Sequence, residues 1–143
     1  MSALRPARPE DALACGAILS AFIDGTDWMP RLHSRAEDIG FCGMMIDRGW
    51  VTVAGQPAQG FLAREDAFIH ALYVAPDRQG RGIGKALLDA AKAAPRLELW
   101  TFQANLRAQA FYRREGFTEA ERTDGARNDE GLPDIRFTWG RSA

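Results

Sequence analysis

Cysteine is scarce, since Cys15 and Cys42 are the only two in 143 residues, far apart and each inside a helix-like segment. With no CxxC spacing and no histidine placed beside them, they argue against a disulfide framework and a zinc site, and both read as buried core thiols. An excess of one charge is missing as well: 18 Lys and Arg stand against 19 Asp and Glu, a net charge of -1. So balanced a surface offers no broad footprint for nucleic acid or an anionic membrane, and any phosphate has to be met by a local cluster. No apolar run approaches the roughly 18 residues of a membrane span, and Met1 to Pro6 lacks the apolar stretch of a secretory signal. The expectation is a cytoplasmic protein. Internal repeats and low-complexity segments are absent too.

What is present is a globular composition, with 46% hydrophobic and 26% charged residues, far from the signature of disorder. The length suits one domain spanning residues 1–143. Leu4 to Ala7 reads as a first strand, and Pro9 with Glu10 and Asp11 opens a helix to about Phe22, its apolar face expected at Leu13, Ala17, Ile18 and Ala21. Ser34 with Glu37 makes a capping box for a second helix, with a stripe at Ile39, Cys42 or Gly43, and Ile46. Trp50 to Ala54 and Ala58 to Ala63 flank a Gly-Gln-Pro turn as a hairpin, and Phe68 to Val74 is the strongest strand. A helix from Gly82 to about Ala94, a strand from Leu97 to Phe102, a helix capped by Asn105 and ended by Gly116, and strands near Phe117–Arg122 and Asp134–Trp139 complete the chain. The fold class is α+β: a mostly antiparallel, mixed and twisted sheet of six to seven strands with about four helices.

The most informative stretch runs from Val74 through Arg78-Gln79-Gly80-Arg81-Gly82-Ile83-Gly84-Lys85 to Leu88. A strand ends, a glycine-rich loop turns and a helix begins at once, so backbone N–H groups and the positive end of a helix dipole converge where a phosphate would be welcome. Glycine at 80, 82 and 84 lets a bulky anion reach the backbone, and Arg78, Arg81 and Lys85 add positive charge. A dinucleotide fingerprint starting at Gly80 fails at Lys85, and a P-loop ending at Gly84-Lys85 fails at Gln79 and Ala86. What does fit is Q-x-x-G-x-G, spelled by Gln79, Gly82 and Gly84.

With that motif the chain resembles the GNAT superfamily of N-acetyltransferases, in which this loop holds the pyrophosphate of acetyl-CoA. The run from Asn105 through Ala108, Phe111-Tyr112 and Gly116-Phe117 looks like the family's later signature, and the order of elements matches its sheet, split between strands 4 and 5 to admit the cofactor. The resemblance implies an enzyme that moves an acetyl group from acetyl-CoA to a primary amine of a small molecule or peptide by direct attack. It also implies cofactor contacts from Leu72, Tyr73 and Val74, from Gln79, Gly80, Arg81, Gly82, Ile83, Gly84 and Lys85, and from Asn105 and Tyr112.

Asn105 and Tyr112 lie seven residues apart, about 20° out of alignment and roughly 10 Å along a helix axis, so both can face one elongated ligand. A tyrosine hydroxyl, with a pKa near 10, can protonate a departing thiolate, whose thiol has a pKa near 8.5; the resemblance implies that role for Tyr112, which is otherwise a core aromatic. The strand 72–74 is expected to offer backbone groups to the pantetheine arm and an N–H to the thioester carbonyl. For a general base the first candidate is His70, taken as catalytic with Tyr112, and the second is Glu98; some relatives carry a carboxylate where Trp100 stands here. Two segments are the expected acceptor pocket: the loop from Asp24 to His33, where Trp28 and Met29 are interleaved with Asp24 and Asp27, and the acidic stretch from Thr123 to Asp134, with Asp124 and Glu130; the second stretch also reads as a solvated hairpin loop. No metal is expected. The competing reading is a non-catalytic acyl-CoA-binding sensor or interaction module; a nucleic-acid module has too few basic residues to support it. Uncovered strand edges are compatible with a homodimer.

Overall fold

The computed structural model describes residues 3–140. Seven strands form one sheet: β1 (Leu4–Pro6), β2 (Val51–Ala54), β3 (Gly60–Glu65), β4 (Phe68–Val74), β5 (Arg96–Phe102), β6 (Thr118–Thr123) and β7 (Asp134–Gly140), in the order β1-β2-β3-β4-β5-β7-β6. Every neighbouring pair is antiparallel except β4 and β5, which run parallel. Four helices accompany them: α1 (Ala12–Asp24), α2 (Arg35–Asp47), α3 (Ile83–Ala91) and α4 (Leu106–Arg114). This is the α+β fold the sequence predicts, with a sheet at the upper end of the expected strand count. No helix among the described residues is long and apolar enough to cross a membrane.

Side chains alternate across the pleat, so β3 sends Phe61 and Ala63 to one face and Leu62 to the other. Beneath α1 and α2 the first face packs Cys15, Ile18, Cys42, Met45 and Ile46 on Val51, Val53 and Phe61. The second face packs Ile83, Leu87 and Leu88 of α3 and Tyr112 of α4 on Leu97, Leu99, Ile135 and Phe137. Both cysteines are free thiols in the core, and burial pushes each up to about 12, so neither is a reactive thiolate near neutral pH.

The predicted face of α1 is wrong in part. Leu13 is 67% exposed and Ala17 is also at the surface, whereas Cys15, Gly16, Ile18, Leu19 and Ser20 are buried. Gly16 explains the rotation, because a Cβ there would lie 2.5 Å from Ile39 Cγ1 of α2, so the two helices cross where α1 has no side chain. In an alanine-rich helix, apolar spacing does not distinguish such a crossing from its neighbouring faces. On α2, Cys42 and Ile46 are buried as expected, Ile39 is half-buried, and Met45 joins them with a carboxylate, Asp38. The capping box of Ser34 and Glu37 forms as read: Glu37 N–H donates to Ser34 Oγ at 3.1 Å, and Ser34 N–H to Glu37 Oε1 at 2.9 Å.

Buried Asp38 accepts from Ser20 Oγ at 2.6 Å and from Arg31 at 3.0 Å, tying both helices to the connection between them. Asp38→Ala strips both donors of their acceptor and should lower stability by about 2 kcal/mol. The measurement is the urea midpoint, expected to fall with an unchanged slope; an unmoved midpoint refutes the assignment.

Candidate functional site

β4 and β5 share one paired register, Phe68 with Glu98, where Glu98 N–H also reaches Ala67 O at 2.8 Å. Past that point they part, and a cleft of about 1080 Å³ opens between them. β4 enters the cleft through a bulge: Ala63 faces Ala71 and Arg64 faces Ile69, so His70 is the extra residue. Beyond the bulge, Leu72, Tyr73 and Val74 form one wall of the cleft, and their main chain has β3 on one side and open space on the other.

At the far end of β4 the chain passes through a 3-10 turn, Pro76–Arg78, into the glycine loop. Gln79 Nε2 donates to Val74 O at 3.3 Å, which holds the loop against the strand end. Gly82 has φ +81°, a left-handed conformation that L side chains rarely adopt, and it is the N-cap of α3. As glycine it brings no side chain to cap the helix, whereas Ser34 caps α2 and Asn105 caps α4 through Ala108 N–H at 3.0 Å. The first-turn amides of α3 thus face the cleft with the positive end of its dipole, and a Cβ added at Gly80 or Gly82 would meet nothing within 4 Å. That open concavity fits a diphosphate, and Arg78, Arg107 and Arg114 line the same cleft. Lys85 lines it too, but its ammonium is held by Asp89 at 3.1 Å and Glu115 at 3.2 Å, carboxylates that raise its pKa, so part of its charge is already answered.

Tyr112 comes from α4 and packs against Phe111, Phe117 and Phe137, with centroids 5.2, 5.5 and 6.2 Å away. It is 8% exposed yet lines the cleft. Burial, and secondarily the nearby Tyr73, push its hydroxyl well above the ordinary tyrosine value, so it carries its proton across the neutral range. Tyr73 packs on Phe22 at 5.1 Å and Phe61 at 5.8 Å, and burial followed by the charge of Glu130 pushes it up to about 12. His70 Nε2 lies 2.9 Å from Glu65 Oε1, and its ring stacks on Trp50 at 4.8 Å.

Of the residues singled out by sequence for the cofactor, Leu72, Tyr73, Val74, Gln79, Gly80, Gly82, Ile83, Gly84, Lys85, Asn105 and Tyr112 all line this one cleft, and Arg81 does not. His70 and Trp28 line it as well. Asp24 does not: its carboxylate is taken by Arg31 at 2.8 Å and Arg35 at 2.9 Å, which hold it below the usual range. Asp124 accepts from Ala126 N–H at 3.0 Å in an Asx turn, and neither it nor Glu130 reaches the cleft wall. Glu98 sits 3.4 Å from Arg136, outside the lining. Asp27, read in the same acidic and aromatic loop as Trp28, lines the cleft too, whereas sequence reasoning missed Phe22, Phe102, Arg107 and Arg114. The two arginines had a readable signal, since seven residues is two helical turns and places both on one face of α4. Phe102 had a weaker one, lying two residues beyond Trp100 on the face of β5 opposite Leu97 and Leu99.

A family model described as an acetyltransferase (GNAT) domain matches residues 32–119. The peptidyl-lysine N-acetyltransferase YjaB of Salmonella typhimurium is 35% identical over 77 residues, covering 52% of this chain and 53% of its own length. The chain spans about half or less of the curated relatives it matches, 53% in one case and 30% in another. Among solved structures, apo YjaB of Escherichia coli superposes with a TM-score of 0.79 at 23% identity, covering 97% of both chains. YncA of Salmonella typhimurium, solved with its cofactor acetyl-CoA, does so with a TM-score of 0.74 at 17% identity, covering 100% of this chain and 97% of its own. The split sheet, the uncapped helix behind a Q-x-x-G-x-G loop and the matched domain agree: this chain belongs to the GNAT family of acetyltransferases.

Proposed function

We propose that this protein moves the acetyl group of acetyl-CoA onto a primary amine by direct attack. The carrying observation is that one cleft joins an uncapped helix N-terminus, suited to a diphosphate, to a buried and protonated tyrosine hydroxyl. Acetyl-CoA in YncA and the peptidyl-lysine activity in the name of YjaB support the same reading.

The residues divide the work. The amides of α3, with Arg78, Arg107 and Arg114, hold the diphosphate, and the main chain of Leu72–Val74 lines the pantetheine arm. Bound there, acetyl-CoA supplies a thioester whose carbonyl carbon accepts the amine's lone pair while the C–S bond breaks and its electron pair leaves on sulfur. Tyr112 gives its hydroxyl proton to that sulfur and is reprotonated from solvent. His70, oriented by Glu65, takes the proton the nitrogen loses as the N–C bond forms. The products are an acetamide and a free thiol, so atoms and charge balance.

We place the reaction in the cytoplasm, where free thiols such as Cys15 and Cys42 persist. We do not extend the proposal to a homodimer: β6 lies at one edge of the sheet, and its exposed Glu119, Glu121 and Arg122 discourage edge pairing. Calorimetry with coenzyme A and a thiol-release assay with acetyl-CoA test the proposal. Saturable heat and amine-dependent thiol are expected; no heat overturns it, and binding without release across a broad amine and peptide panel reassigns the chain as an acyl-CoA sensor.

A further inference from the structure

The acyl end of the cleft differs in character from the phosphate end. Tyr73, Phe22, Trp28 and Phe102 form an unbroken aromatic wall there, with successive ring centroids 5.1, 6.4 and 5.7 Å apart. They come from β4, α1, the α1–α2 connection and β5, they are half-buried, and all four line the cleft. The connection that carries Trp28 is tied down: Thr26 Oγ1 donates to Phe22 O at 2.5 Å, and Arg31 clamps Asp24 at 2.8 Å and Asp38 at 3.0 Å. The wall is therefore built before any ligand arrives, which lowers the ordering cost of binding.

Two carboxylates line the cleft among the described residues, Asp27 beside Trp28 and Glu115 beside Lys85 at the phosphate end, and Glu130, off the wall, adds its charge near Tyr73. Asp24, which sequence reasoning assigned to the acceptor, is spent on Arg31 and Arg35. A polyamine or aminoglycoside brings more cations than Asp27 and the Glu130 charge near Tyr73 can answer, and would leave the rest against aromatic rings. A single amine on an apolar stem suits the wall, because the rings bury the stem and an apolar surround favours the neutral, nucleophilic amine over its ammonium form.

We infer that the acceptor is a primary amine carried on an aryl-alkyl or alkyl stem with no second cation, seated against Phe22, Trp28, Tyr73 and Phe102. This rests on the acetyl-transfer reading and narrows its substrate. Two sources share the chemistry, a free monoamine and the side chain of a lysine in a peptide.

The experiment compares phenethylamine, tryptamine, an Nα-acetyl-lysine amide, spermidine and kanamycin as acceptors for the full chain at saturating acetyl-CoA. The first three are expected to exceed spermidine and kanamycin at least tenfold in kcat/KM; preference within them for the aryl amines marks a free monoamine, and for the lysyl amide a peptide. Trp28→Ala should raise the acceptor KM about tenfold without moving the KM for acetyl-CoA, and Phe102→Leu, gentler on folding, should move it the same way to a lesser degree. Spermidine or kanamycin used as well as the stems, or an acceptor KM untouched by both variants, overturns the inference. Calorimetric titration of phenethylamine into the coenzyme A-saturated protein separates it from the parent reading: binding without turnover keeps this site and sinks the transferase, and no binding together with no turnover sinks both.

Discussion

Tyr112→Phe is expected to lower kcat for thiol release by about 100-fold or more, since a positioned general acid contributes on the order of 10² to 10⁴. The KM for acetyl-CoA should hardly change, because the ring that packs on Phe117 and Phe137 is kept and only the hydroxyl goes. The pH dependence follows from the direction of the shift. Burial raises the folded-state pKa above the ordinary value of about 10, so wild-type activity should show no alkaline decline from this group below that pH. The folded chain holds this proton more tightly than the unfolded chain, so the related stability is intact below about pH 10 and is lost as pH rises beyond it. Thermal unfolding near pH 11 should find the phenylalanine variant gaining on wild type. An unchanged kcat at every pH would remove Tyr112 from the chemistry and leave it as a core aromatic.

Gly82→Val should weaken coenzyme A binding by at least about tenfold, which corresponds to about 1.4 kcal/mol. The residue has φ +81°, where a β-branched side chain is strongly disfavoured, and relief of that strain turns the first amides of α3 away from the diphosphate. Gly49→Val separates affinity from backbone strain, because Gly49 has φ +76° in the turn before β2, outside the cleft. Both variants should lose thermal stability, and only Gly82→Val should lose heat of coenzyme A binding. Equal affinities for the two would mean that the loop does not hold the diphosphate.

The parts of this site that sequence reveals are those whose chemistry is local. Gly82 is legible because a left-handed N-cap needs glycine, and Gln79 because it stands at a fixed step from it, next to the strand end it secures. Ser34 and Asn105 are legible because each caps the turn that follows it in the chain. The misses have a common cause. Asp24 reads as a free acid in a polar loop, and only folding brings Arg31 and Arg35 onto it. Leu13 reads as core until Gly16 turns the helix crossing elsewhere.

By itself the sequence determined the order of elements, the split-sheet family and a glycine loop that opens a helix with no side-chain cap. Turn conformation, capping and helix start are settled within a few residues, where backbone sterics and single hydrogen bonds decide. Tertiary structure alone decided which ionisable groups face the cleft and which are spent on partners. It also decided that Phe22, Trp28, Tyr73 and Phe102 meet as one surface, because burial and charge pairing join elements far apart in the chain.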